Sequence, residues 1–146
     1  MGQGIDVLHG SRKIKLYQLL MPRRKISKRK STVRKLDKIV SLIIRKTTQH
    51  CVVCGSPSFL QNGHVFSRTA YNTRWDISED GNCHTQCRGC NLRHERDFYP
   101  YSNWYIVKFG QEKFDELHRR YRTVNKFSTP QLEDLYLELK RHYDNL

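Results

Sequence analysis

The chain has 146 residues, a mass of 17.5 kDa, a mean hydropathy of -0.77 and 37% hydrophobic residues, the proportions of one small polar domain. Its longest apolar stretch, Ile39 to Ile44 with Ser41 inside it, falls far short of the roughly 18 consecutive apolar residues that span a bilayer, so no membrane protein is expected. The net charge of +13 is unevenly spread: residues 1–50 carry 14 basic and 2 acidic side chains, residues 51–146 carry 13 and 12.

Residues 1–30 read as a basic arm, with a turn of helix around Ile14, Leu16, Leu19 and Leu20 closed by Pro22. Between Asp6 and Asp37 lie 11 basic residues and no acid, including Arg23, Arg24, Lys25, Lys28, Arg29 and Lys30. Such a run suits a polyanion, because each neutralised phosphate releases condensed counterions. A merely solvated arm is the plain alternative. An anionic lipid surface is the weaker one, since no long apolar helix or lipidation signal adjoins the run. No secretory signal precedes the arm. The expected compartment is therefore the reducing cytoplasm, the host's if the chain is encoded by a phage, and the five cysteines read as metal ligands or free thiols.

Ser31 or Thr32 then caps a predicted helix over 31–47. Val33, Leu36, Val40 and Ile43 recur on one face, widened by Ile39 and Ile44, with Arg34, Lys35, Lys38 and Lys46 outward. Residues 51–97 hold Cys, Gly, Asn and short extended runs, which predicts a β-hairpin followed by a helix. Beyond Tyr101 the pattern is helical, with a break at Gly110 and Phe114, Leu117, Tyr121 and Val124 on one face. Ser128 or Thr129, followed by Pro130, starts a last helix with Leu132, Leu135, Tyr136, Leu139 and Tyr143 as its stripe. Residues 31–146 are thus expected to form one domain.

The strongest local signal is Cys51-Val-Val-Cys54-Gly paired with Cys87-Arg-Gly-Cys90, two turns with 32 residues between them. Two residues between cysteines let one tight turn aim both sulfurs at a single ion, so four thiolates at this spacing predict a structural zinc site. A redox pair and buried free thiols are the alternatives; Cys83 is left over as a free or packed thiol. Around the two turns stand Asn62, Gly63, His64, Arg68, Arg74, Asn82, His84, Gln86, Asn91 and His94, which zinc alone does not require. A zinc-clamped hairpin and helix bearing a histidine and a metal-binding amide or imidazole has the parts to cut phosphodiesters. The imidazole deprotonates water, while a divalent ion steadies charge on the phosphate and the leaving 3′ oxygen. Asn91 and His94 are three residues apart and share a helix face. Arg68 and Arg74 are candidates for bidentate phosphate contacts, with pairing to Asp76, Glu79 or Asp80 as the alternative.

Cys51-x-x-Cys54, Gly63-His64 and Asn82-x-His84-x-Gln86-Cys87-x-x-Cys90-Asn91 resemble the phage recombination endonucleases of the lambda NinG (Rap) group. More broadly they are similar to the HNH, or ββα-metal, nucleases, which include endonuclease VII with its CxxCN motif. The resemblance covers residues 51–97 and, more weakly, the helical tail. It implies an α+β fold: a zinc-stapled ββα-metal (HNH, or His-Me finger) module between the basic arm with its helix and the C-terminal helices. It implies His64 as general base, Asn82 as the residue holding the base's loop, and Asn91 as a ligand of catalytic magnesium or manganese. Most members carry Asp immediately before the base, where this chain has Gly63. Because an amide is a weak ligand for a hard cation, the pattern calls for help from His84, His94, Glu95 or Asp97, with His84 favoured. The expected partner is DNA, branched in the NinG group, and a symmetric two-strand cut would call for a homodimer. The rival reading is a non-catalytic zinc-ribbon adaptor that binds nucleic acid or a polymerase; an RNA-processing role is third, though no stacking surface is evident.

Overall fold

The computed structural model describes residues 25–146, so the expectations for Ile14 to Pro22 and for Arg23 and Arg24 lie outside the described residues. Helix α1 spans Lys28–Thr47 and is capped by Ser27, whose hydroxyl accepts from Lys30 N at 3.3 Å. The helix starts earlier than predicted because Ser27 offers the cap, whereas Thr32 is buried and turns its hydroxyl back onto Lys28 O. Lys28, Arg29 and Lys30 therefore belong to the first turn of a helix, not to an arm. Cations there oppose the helix dipole, and local contacts offset this: Lys28 pairs with Glu133 at 2.9 Å and Arg29 donates to Phe127 O at 2.7 Å.

Strand β1 (Leu60–His64) pairs antiparallel with β2 (Cys83–Cys87), setting Gly63 opposite His84 and His64 opposite Cys83. A one-turn helix α2 (Tyr71–Arg74) lies in the long connection, and α3 (Arg88–His94) follows β2 directly. Then come α4 (Tyr99–Phe109), α5 (Gln111–Arg122) and α6 (Thr129–Asp144). Gly110, at φ 93°, makes the corner between α4 and α5 that an L-residue would resist. Ser128 caps α6 in a reciprocal box with Gln131. Val124 is not on α5 as predicted; the helix ends at Arg122 and Val124 is 88% exposed in the following loop.

Two cores flank the hairpin. In one, α1 and α6 lie side by side and parallel, as the contacts Lys28–Glu133, Lys35–Tyr136 and Lys46–Tyr143 track from start to end. They bury Leu36, Ile39, Val40, Ile43, Leu132 and Leu139 with Trp75 and Cys83. The other joins Val65 and Phe66 of the hairpin's exit to Tyr101, Tyr105 and Leu117 of α4 and α5. Thr85 bridges hairpin to helix by donating to Ile44 O at 2.8 Å. Among the described residues no helix is long and apolar enough to cross a membrane.

Leu36 is fully buried between α1 and its neighbours. Leu36→Ala is expected to cost about 2–5 kcal/mol through lost transfer energy and a residual cavity, measurable by urea denaturation of metal-loaded protein.

Candidate functional site

The sulfurs of Cys51, Cys54, Cys87 and Cys90 all lie within 4.8 Å of one another. Those of Cys54 and Cys87 are 3.7 Å apart, close to the roughly 3.8 Å edge of a tetrahedron with metal–sulfur bonds of about 2.3 Å. Local backbone makes this convergence. Gly55, at φ 76°, closes the first turn with its N–H on Cys51 O, and Val52 N donates to Thr85 O, anchoring that turn to β2. Cys87 ends β2 and caps α3, accepting from Cys90 N at 3.4 Å. Four thiolates so close repel one another, and a cation removes that penalty; the cluster could hold a structural metal such as zinc. Cys83 is no member of it. Its thiol is buried in the α1 core and donates to Arg74 O at 3.3 Å.

At the far end of the hairpin His64 is partly buried, and its Nε2 is 3.0 Å from Arg74 O. A carbonyl only accepts, so Nε2 carries the proton and Nδ1 keeps the lone pair. Burial first, then the Arg68 charge, lowers the His64 pKa below its usual 6.5 against the opposing Arg74 carbonyl and Asp37 carboxylate. The imidazole is therefore neutral at pH 7. Asn82, fully buried, fixes the chain beyond it: its Oδ1 accepts from Phe66 N at 2.7 Å and its Nδ2 donates to Phe66 O at 2.9 Å.

His64 lines two adjoining cavities, of about 270 and 660 Å³, that share Asn62, Arg68 and Asn91. Asn91 follows the last cluster cysteine on α3 and donates through Nδ2 to Gln61 Oε1 at 2.9 Å, which leaves Oδ1 for another partner. The larger cavity adds His94 and Glu95. His94 Nε2 donates to Val65 O at 3.0 Å, and Nδ1 is buried with no partner. Glu95 is exposed, lies one helical turn beyond Asn91 and makes no ion pair among the described residues. Gly63 has a packing reason: a Cβ there would stand 2.0 Å from Gln86 Oε1. Gln86, fully buried, fills the space that a carboxylate at position 63 would need.

The family model for bacteriophage lambda NinG protein matches residues 11–146. The chain belongs to that family. No curated protein and no solved structure matches it. The NinG family is a phage protein family, so the chain's role is phage-associated.

Three residues singled out from the sequence stand elsewhere. His84, favoured as a metal ligand, lines neither cavity with His64. Its ring sits among Trp104, Tyr101, Tyr105 and Phe109 on the far side of the hairpin, where Nε2 bonds Gly81 O and burial pushes its pKa down to about 4. Alternation along β2 explains this, since a neighbour of Cys83 that faces Gly63 cannot share the face of His64. Arg74, expected on phosphate, is spent inside the protein: its guanidinium meets Asp37 at 2.9 and 2.7 Å and Arg68 O at 3.1 Å. Asp97, another ligand candidate, pairs with Arg93 and caps Tyr99 N. Arg68 does line both cavities, is exposed, and makes no ion pair among the described residues. Lys25 is exposed ahead of α1.

Asp37 is the residue that pattern reading missed. It also accepts from Trp75 Nε1 at 2.8 Å, so it ties α1 to the carbonyl that orients His64. Its carboxyl is held below the usual range; burial would raise it, but the hydrogen bonds from Arg74 and Trp75 and the Arg74 charge outweigh that. The available signal was its isolation: no other acid lies between Asp6 and Asp76. Asp37→Asn is expected to lose about 2 kcal/mol of stability and to lower the His64 pKa further, since a carboxylate that favours the imidazolium is gone. Thermal melts and NMR titration of the imidazole protons measure both. Cys90→Ser should abolish stoichiometric zinc and lower the melting temperature, read by atomic emission and calorimetry.

Proposed function

We propose that this protein is a metal-dependent DNA endonuclease of the HNH type that processes phage DNA during recombination, with branched DNA as substrate. The observation that carries the reading is the meeting, in one cleft, of a neutral imidazole whose free nitrogen is Nδ1 with Asn91, a residue fixed beside the cysteine cluster. His64 Nδ1 takes a proton from the attacking water, and the Arg74 carbonyl keeps the ring in the tautomer that makes this nitrogen the base. Arg68 binds the non-bridging oxygens of the scissile phosphate. Asn82 holds the chain between the base and the second core. Magnesium or manganese at Asn91, with Glu95 supplying the anionic oxygen that position 63 lacks and His94 beside them, would stabilise charge on the phosphate and the leaving 3′ oxygen. The exposed cations of α1 and the preceding arm hold backbone phosphates without reading bases, and a two-strand cut calls for a homodimer.

The zinc-ribbon adaptor shares the cluster and the basic charge but has no use for a neutral histidine in an open cleft. Incubating the protein with branched and linear DNA and magnesium or manganese separates the two. The wild type is expected to nick or cut. His64→Ala, with zinc content unchanged, should be slower by about 10²–10⁴-fold. Binding of both substrates with no cleavage under any of these conditions would favour the adaptor. Because the base works only when neutral, and its folded pKa lies below 6.5, the rate should rise with pH, reach half its plateau below pH 6.5 and be flat across neutrality.

A further inference from the structure

A separate groove of about 760 Å³ opens between the start of α1, the α2 segment and the loop joining α5 to α6. Its lining includes Arg29, Arg122 and Lys126 and not one carboxylate. Arg122 and Lys126 are exposed and make no ion pair among the described residues. Arg29 is held in place by Phe127 O and lies 5.5 Å from the Tyr71 ring centroid. The loop is pinned as well, since Asn72 Nδ2 donates to Arg120 O at 3.0 Å and also to Thr123 O. Tyr71, Tyr121 and Phe127 give this basic groove partly exposed aromatic walls.

The groove neighbours the cleft described above. Tyr121 lines both, and the chain segment 67–72 divides them: Ser67 and Arg68 border the His64 cavity, and Thr69 to Asn72 border the groove. We propose that this groove is a second DNA site that holds an unpaired strand continuing from the phosphodiester beside His64. Its cations match the charge of a backbone, and aromatic walls offer stacking only to bases that are not already paired within a duplex. The proposal rests on the endonuclease reading for what lies at the strand's other end, but the binding itself does not need catalysis.

The test uses the full chain carrying His64→Ala, without divalent cation, and a fluorescent oligothymidylate whose binding is followed by anisotropy across a salt series. Removing two phosphate contacts with Arg122→Ala and Lys126→Ala should reduce the slope of log affinity against log salt by about 1.4, or roughly 25-fold in affinity at 0.1 M salt. Both residues are exposed, and unchanged zinc content and melting temperature would confirm an intact fold. A control pair, Lys140→Ala with Arg141→Ala, removes the same charge near the other end of α6 and should leave the slope unchanged. An unchanged slope in the loop variant overturns the proposal. So does an equal loss in the control pair, or an equal slope change for a blunt duplex. If no DNA is ever cut yet the loop variant shows the reduced slope, the endonuclease reading falls and the groove stands. If DNA is cut and the slope does not move, the groove alone falls.

Discussion

Two pieces of chain far apart in sequence end at the same four sulfurs: the loop before β1, and the junction where β2 runs into the first turn of α3. Little else holds that corner. The hairpin has only two strands, which is marginal in water without an added constraint, and α3 buries none of its residues. A metal bound by the cluster would replace the missing hydrophobic core. It would also decide where Asn91 stands, because that residue adjoins Cys90 at the base of the helix. One wall of the cleft would thus be set by a constraint located outside it.

The other side of the cleft is held by ordinary protein interactions. His64 is oriented through a carbonyl of α2, and α2 is tied to α1 by the Arg74–Asp37 pair. Asn82 spends its whole amide on the backbone of Phe66. Both His64 and Asn82 find backbone partners, which is how a partly buried imidazole can be kept neutral without floating free. Gln86 differs from them, with both amide atoms buried and unpartnered beneath Gly63. It occupies the room that a side chain at 63 would take.

Charge is distributed with the same division of labour. Arg74 is consumed by Asp37, and Lys28 and Arg29 brace α1 against α6 and the loop before it. Arg68, Arg122 and Lys126 are left without an ion pair among the described residues, along neighbouring depressions. A formal charge of +13 therefore overstates the positive charge left without an internal partner.

Local patterns in the sequence determined the cysteine cluster, the order of hairpin and helix, and the stripes of α1 and α6, because spacing between ligands and periodicity of apolar residues are local properties. The placement of Asn91 beside the cluster follows from the same local rule. The depth of His84 in an aromatic box, the pairing of Arg74 with an acid 37 residues upstream, and the opening of Glu95 and His64 onto one cavity were decided by tertiary structure alone. Which face of a two-stranded ribbon points at which helix depends on how the ribbon is packed, and ion-pair partners depend on which helix lies across it. Neither quantity is written in the neighbourhood of any single residue.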